Sequence, residues 1–168
     1  MKELLESLAS PTNSIRANAE KKLKELKNTC GGDVLKGLVA TVCDDASTGA
    51  LPNEWTRSLA VILLKGITLR EKNLWEQLSP HEFAEARAHL LALLLRESVD
   101  RVKRLLIITL AALARLQQWD ELMSCVGQLA SSDEEHNKLL GITMLDKLAE
   151  YVGPYLLEHL DSVSAFLC

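Results

Sequence analysis

With 168 residues, 48% of them apolar, the chain has the material for one ordinary domain core. Its formal net charge of −4 argues against the dense basic face that nucleic-acid binding demands and tolerates basic protein partners, and an aromatic content of only 4% points to packed helices rather than strands. Cys30, Cys43, Cys125 and Cys168 show no CxxC spacing and no neighbouring His in a ligand pattern. They therefore read as small apolar residues of a reducing compartment, with no metal or cofactor implied.

The first helix is expected over Met1 to Ala9, with Leu4, Leu5 and Leu8 on one face; it lacks the apolar core of a secretory signal, and Ser10-Pro11 ends it. Asn13 caps a second helix that turns Ile15, Ala19, Leu23 and Leu26 inward and leaves Lys21, Lys22, Lys24 and Lys27 in water. Cys30-Gly31-Gly32 reads as a turn into a third helix from about Asp33 to Cys43, followed by a polar loop, Asp44 to Asn53, containing Gly49 and Pro52. A fourth helix runs from about Glu54 to Leu69, and the connection to Pro80 carries Trp75 and Leu78 as anchors.

Ser79-Pro80 is a strong start for a fifth helix from about His81 to Arg96. The sixth, Asp100 to Leu116, is the most apolar and is expected to have neighbours on two sides; its longest apolar run, Leu105 to Ala114, is too short to span a bilayer. Trp119 to Ala130 forms the seventh helix, and Ser131-Ser132-Asp133 caps an eighth from about Glu134 to Val152, ended by Gly153-Pro154. A ninth helix from Tyr155 aligns Leu156, Leu160, Val163 and Leu167 on one face. Because the chain stops at Ala165-Phe166-Leu167-Cys168 without a polar capping helix, it is expected to be a piece of a longer array.

A motif ties these helices together: a cation, a small or apolar residue three positions on, and a Leu seven positions on. It occurs as Arg16, Ala19, Leu23; as Arg57, Ala60, Leu64; as Lys103, Leu106, Leu110; and as Lys138, Gly141, Leu145. The cations stand 41, 46 and 35 residues apart, spacings that bracket the period of about 40 of two-helix HEAT or armadillo repeats. The fold predicted is all-α: a right-handed α-solenoid of four helical pairs and the first helix of a fifth. The repeats fall at about residues 1–28, 32–70, 79–117 and 118–153, with a partial one at 154–168, all in one domain.

In such arrays the second helices of successive repeats line the concave, partner-binding surface. Its exposed members here are Glu20, Lys24, Lys65, Lys103, Arg104, Asn137 and Lys138, which form the candidate binding site. The motif's cations have a structural role as well, pairing with carboxylates or carbonyls of an adjacent turn and stitching repeats together. Trp75 and Trp119 each precede a Leu by three residues, which favours packing between hairpins, whereas Trp55 sits at a helix start with its role open. Catalysis is not indicated: there is no Gly-rich phosphate loop and no HExxH, and His81-Glu82 is the one His-Glu pair, too few for a di-iron centre.

At the level of individual motifs the sequence resembles the N-terminal segment of the importin-β (karyopherin) nuclear transport receptors. The first hairpin, with Leu4-Leu5-Glu6-Ser7-Leu8, Ser10-Pro11-Thr12-Asn13, Ile15-Arg16 and Ala19-Glu20, resembles that family's opening repeat. Arg57 to Ala60 and Leu63-Leu64-Lys65, with Trp75 downstream, resemble the second repeat. Leu78-Ser79-Pro80, Arg96-Glu97, Val102, Ala114-Arg115 and Trp119-Asp120-Glu121-Leu122 continue the likeness, which is greatest to the branch carrying ribosomal proteins and histones. Gly66 and Asp120 depart from the family's usual Asn or Arg and Pro.

The resemblance implies a non-enzymatic import receptor that shuttles between cytoplasm and nucleus. It further implies that the second helices of the first repeats contact GTP-bound Ran, that basic cargo proteins and nucleoporins are the other partners, and that neither nucleic acid nor a membrane is bound directly. The competing reading is a HEAT-repeat scaffold of phosphatase or coat-complex type with no GTPase dependence.

Overall fold

The computed structural model describes residues 1–43 and 53–158, with side chains up to residue 153. The predicted loop from Asp44 through Gly49 and Pro52, the ninth-helix positions Leu160, Val163 and Leu167, and the apolar ending at 165–168 lie outside the described residues. Those described form seven α-helices and one 3-10 helix, with no strand among them. They fall into two compact units, Met1–Leu106 and Ile107–Cys168.

In the first unit, α1 (Lys2–Leu8) buries Leu4 and Leu5. The chain turns through Ser10-Pro11, where Arg16 donates to the Ser10 carbonyl at 3.4 Å and to the Asn13 side chain, fixing the entry into α2 (Asn13–Cys43). The expected turn at Cys30-Gly31-Gly32 is a kink instead. Only Cys30 leaves helical geometry (φ −148°, ψ 54°), so the second and third predicted helices abut without a loop. The reason lies in the side chains above it. A Cβ on Gly31 would come within 2.5 Å of Leu74 Cδ2, and the Gly32 N–H donates to Gln77 Oε1 at 3.1 Å, so the glycines admit close cover rather than open a loop.

Two expectations for α2 are corrected. Ile15 does not turn inward; it is 47% exposed and lines an open hollow with Met1, Leu4 and Leu26. Lys27 does not stand in water: half-buried, it meets Glu71 at 2.6 Å. Beyond the kink α2 buries Val34, Leu35, Leu38, Val39 and Val42.

Asn53 caps α3 (Glu54–Arg70), its side chain accepting from the Thr56 N–H at 2.8 Å, and Ala60, Val61, Leu64 and Ile67 form the buried stripe. The connection that follows is a 3-10 helix, Lys72–Gln77, and Trp75 and Leu78 anchor it as expected. The Trp75 indole N–H donates to Thr68 Oγ1 at 3.2 Å, whose hydroxyl donates to the Leu64 carbonyl, so the buried ring keeps its polar atom satisfied. The Trp75 and Phe83 rings are steeply inclined, at 72° with centroids 5.6 Å apart, and the Arg87 guanidinium lies 4.8 Å from the Phe83 centroid. Helix α4 (Pro80–Arg96) opens on a capping box in which Ser79 and Glu82 satisfy each other's backbone N–H. α1 packs on α2, and α2 on α3, the 3-10 helix and α4.

Helix α5 (Asp100–Ala114) is buried almost all round from Leu106 to Leu113, as its apolar composition predicts. In the second unit, α6 (Asp120–Ala130) packs on α7 (Glu135–Glu158). Gly141 makes this close: a Cβ there would stand 2.4 Å from the Ala130 backbone nitrogen. Helical geometry breaks beside Gly153-Pro154, where the eighth predicted helix is expected to end. The break is one residue earlier, at Val152 (φ −129°, ψ 27°), which places Pro154 in a new first turn where no N–H is required of it.

Candidate functional site

The motif's apolar positions are buried as the spacing requires: Ala19, Leu23, Ala60, Leu64, Leu106, Leu110 and Gly141 are buried, and Leu145 is half-buried. The opposite faces of these helices are open only in part, since α5 is covered almost all round beyond Leu106. Of the predicted contact residues, Glu20 and Lys24 are exposed one turn apart on α2, Arg104 is exposed on α5, and Lys138 is exposed on α7. Lys65, Lys103 and Asn137 are half-buried, and the Asn137 amide donates to Glu134 Oε2 at 2.7 Å, at the start of its own helix. The first unit thus carries Glu20, Lys24, Lys65, Lys103 and Arg104, and the second carries Asn137 and Lys138.

The cations that open the motif divide by role. Arg57 is 6% exposed and pairs with the 2% exposed Glu97, so it stitches α3 to the end of α4. Burial alone would push the Glu97 carboxyl up, but the two-point hydrogen bond from Arg57, the Val99 and Ser98 N–H groups and the guanidinium charge hold it below the usual carboxylate range. Arg16 grips its own hairpin. Lys138 is the exposed one.

Residues that the sequence left unassigned complete the open face. Between the starts of α3 and α5 lies a hollow of about 340 Å³ lined by Glu54, Trp55, Ser58, Leu59, Ile62 and Arg101. Trp55 is 46% exposed and Ile62 37%, while the other two tryptophans, Trp75 and Trp119, are buried. The signal was in the spacing: Trp55, Leu59 and Ile62 sit at helical intervals opposite Ala60 and Leu64.

A separate groove of about 510 Å³ between α2 and α4 is lined by Val39, Ala40, Ala86 and Ala92, with Lys36, Glu82, His89 and Arg96 among its polar residues. Glu82, the carboxylate of the His-Glu pair, is committed to helix capping and to Lys36 at 2.9 Å; the Lys36 hydrogen bond and the Ser79 groups lower its pKa to about 2. Among the described residues no three His, Cys, Asp or Glu side chains are grouped as metal ligands, and no helix is long and apolar enough to cross a membrane.

Helical pairs with a small-residue stripe on the second helix define the class: an all-α protein of HEAT-repeat type. Solved structures agree. The chain aligns over 89% of its length with Kap121p, a karyopherin, in the crystal structure of Kap121p bound to RanGTP, at a TM-score of 0.70 and 20% identity. It aligns over 90% of its length with Kap121p bound to Pho4p, at a TM-score of 0.70 and 19% identity. In each case it spans 14% of the Kap121p chain. No protein-family model and no curated protein matches the sequence.

Proposed function

We propose that the chain is a segment of a nuclear import receptor that binds GTP-loaded Ran on its second helices and contributes to cargo binding and release. The observation that carries the reading is the likeness, over 89% of the chain, to Kap121p bound to RanGTP. The contact residues proposed are Glu20, Lys24, Lys65, Lys103, Arg104, Asn137 and Lys138, within repeats at about 1–28, 32–70, 79–117 and 118–153 and a partial one at 154–168. The chain's net charge of −4 suits basic cargo. Release follows from linkage: a GTPase that binds the cargo-free form more tightly lowers cargo affinity by the same factor by which cargo lowers its own. Nucleoporin contacts and shuttling between cytoplasm and nucleus belong to the same reading.

The test is a calorimetric titration of the chain with Ran loaded with GTP or with GDP. Tighter binding of the GTP form is expected, weakened by charge reversal at Arg104. Equal affinity for both forms, or none for either, overturns the reading in favour of a scaffold without GTPase dependence.

A further inference from the structure

Helix α4 is apolar on the face it turns to solvent as well as on the one it buries. Ala84, Ala88 and Ala92 are exposed at four-residue intervals, and Leu95, 51% exposed, carries the row to the end of the helix. At one residue per 100° the four fall within a wedge of about 80°, wide enough to pack on another helix. Charge marks one edge of that wedge. Glu85 near the start of α4 and Arg96 at its end stand on the rim of the groove shared with α2, about 16 Å apart along the axis. Glu82 in the same groove is held by Lys36, whereas Glu85 pairs with no cation among the described residues. Arg96 donates to the Cys43 carbonyl, and a guanidinium has five N–H groups to give.

The order of these two charges selects the occupant. A uniformly basic helix laid on the face would meet Arg96, and a uniformly acidic one would meet Glu85. What fits is a helix with a base opposite Glu85 and an acid opposite Arg96, which is α4 itself turned end for end. A twofold axis crossing between positions 90 and 91 keeps the charged edges of both copies on one side. It brings Glu85 level with the second copy's Arg96, and Arg96 level with the second copy's Glu85. Ala88 then falls between the second copy's Ala92 and Leu95, where a methyl side chain lets the two backbones approach closely. We infer that α4 is the contact through which two copies of this chain pair, antiparallel and self-complementary, with the row from Ala84 to Leu95 as its apolar seam. One helix face per copy makes a small interface, so the association is weak and reversible, with a dissociation constant on the order of 10–100 µM. It stands apart from the function proposed above, and no GTPase enters its test.

Sedimentation velocity of the full chain from about 5 to 500 µM should show a monomer passing into a dimer. Glu85→Arg puts cations at both ends of the edge and Arg96→Glu puts anions there, so each alone should dimerise at least about tenfold more weakly. Mixed in equal amounts, the two variants should associate as strongly as wild type, because every end then meets its opposite. Ala88→Glu, in the middle of the seam, should abolish pairing while melting like wild type. A wild-type chain that stays monomeric throughout the range overturns the inference, and the face is then open to a different partner. An association that Glu85→Arg and Ala88→Glu both leave within twofold of wild type overturns it as well, since the contact lies elsewhere. So does a mixture no tighter than its weaker component, which removes the antiparallel register. Arg96 also holds the Cys43 carbonyl, so if Arg96→Glu melts early, Glu85→Arg and Ala88→Glu decide the question.

Discussion

The Arg57 guanidinium and the Glu97 carboxylate, forty residues apart, meet in two parallel hydrogen bonds, Nε to Oε2 and Nη2 to Oε1, each 2.8 Å. The same carboxylate accepts the N–H groups of Ser98 at 3.0 Å and Val99 at 2.9 Å, just ahead of α5. One buried anion therefore joins the first turn of α3 to the turn between α4 and α5. Bidentate geometry and a full set of donors are what make burial of such a charge tolerable.

Removing either partner strands the other. Arg57→Ala or Glu97→Ala should lower unfolding free energy by about 3–5 kcal/mol, and the double variant by less than the sum, which urea denaturation of all three will show. Additive losses would mean the pair is not coupled.

Acid should find the carboxylates first. Both Glu97 and Glu82 have folded-state pKa values below the ordinary one, so their contributions are complete above that value and lost as pH falls through the folded one. For Glu82 the window runs from 4.5, its unperturbed value, down to about 2. Any difference in melting temperature between wild type and Glu82→Gln should be flat from neutrality to about pH 5 and close across that window, as a series of melts at stepped pH will report.

Two glycines on second helices should respond to alanine with opposite signs. At Gly141 the new methyl would meet the Ala130 backbone, which cannot rotate away, and a loss of about 1–3 kcal/mol is expected. At Gly66 nothing lies within 4 Å, so Gly66→Ala should gain up to about 1 kcal/mol from helix propensity alone. Paired denaturation curves check both.

Collisional quenching tests the exposure of Trp55. With Trp75 and Trp119 at 3% and 4% exposed, iodide should quench mainly the Trp55 emission, and Trp55→Phe should abolish most of the quenchable fraction. Equal quenching of wild type and variant would contradict the placement.

The helices and their buried stripes were legible because cation, small residue and Leu repeat at helical offsets, and local spacing decides which face is apolar. Partners across forty residues were not: nothing near Arg57 names Glu97, and nothing near Lys27 names Glu71. The same limit governs the binding face. Lys65, Lys103 and Asn137 looked as open as Arg104, but cover depends on the neighbouring helix, and they are half-buried. Trp55 went unassigned because a helix-start aromatic beside a loop fits anchor and contact equally, until the hollow beside Arg101 separates them. Cys30-Gly31-Gly32 carried the composition of a loop, yet Leu74 and Gln77 need those glycines bare in order to sit over a helix junction.

That junction leaves no slack in the chain. With one non-helical residue between two helical segments, a residue inserted at Cys30 has no loop to absorb it. Everything beyond would advance about 1.5 Å and rotate by about 100°, carrying Val34, Leu35 and Leu38 out of the core together. Length variation in related chains should therefore avoid this joint, and a tag or probe placed there would act as a frame shift in three dimensions.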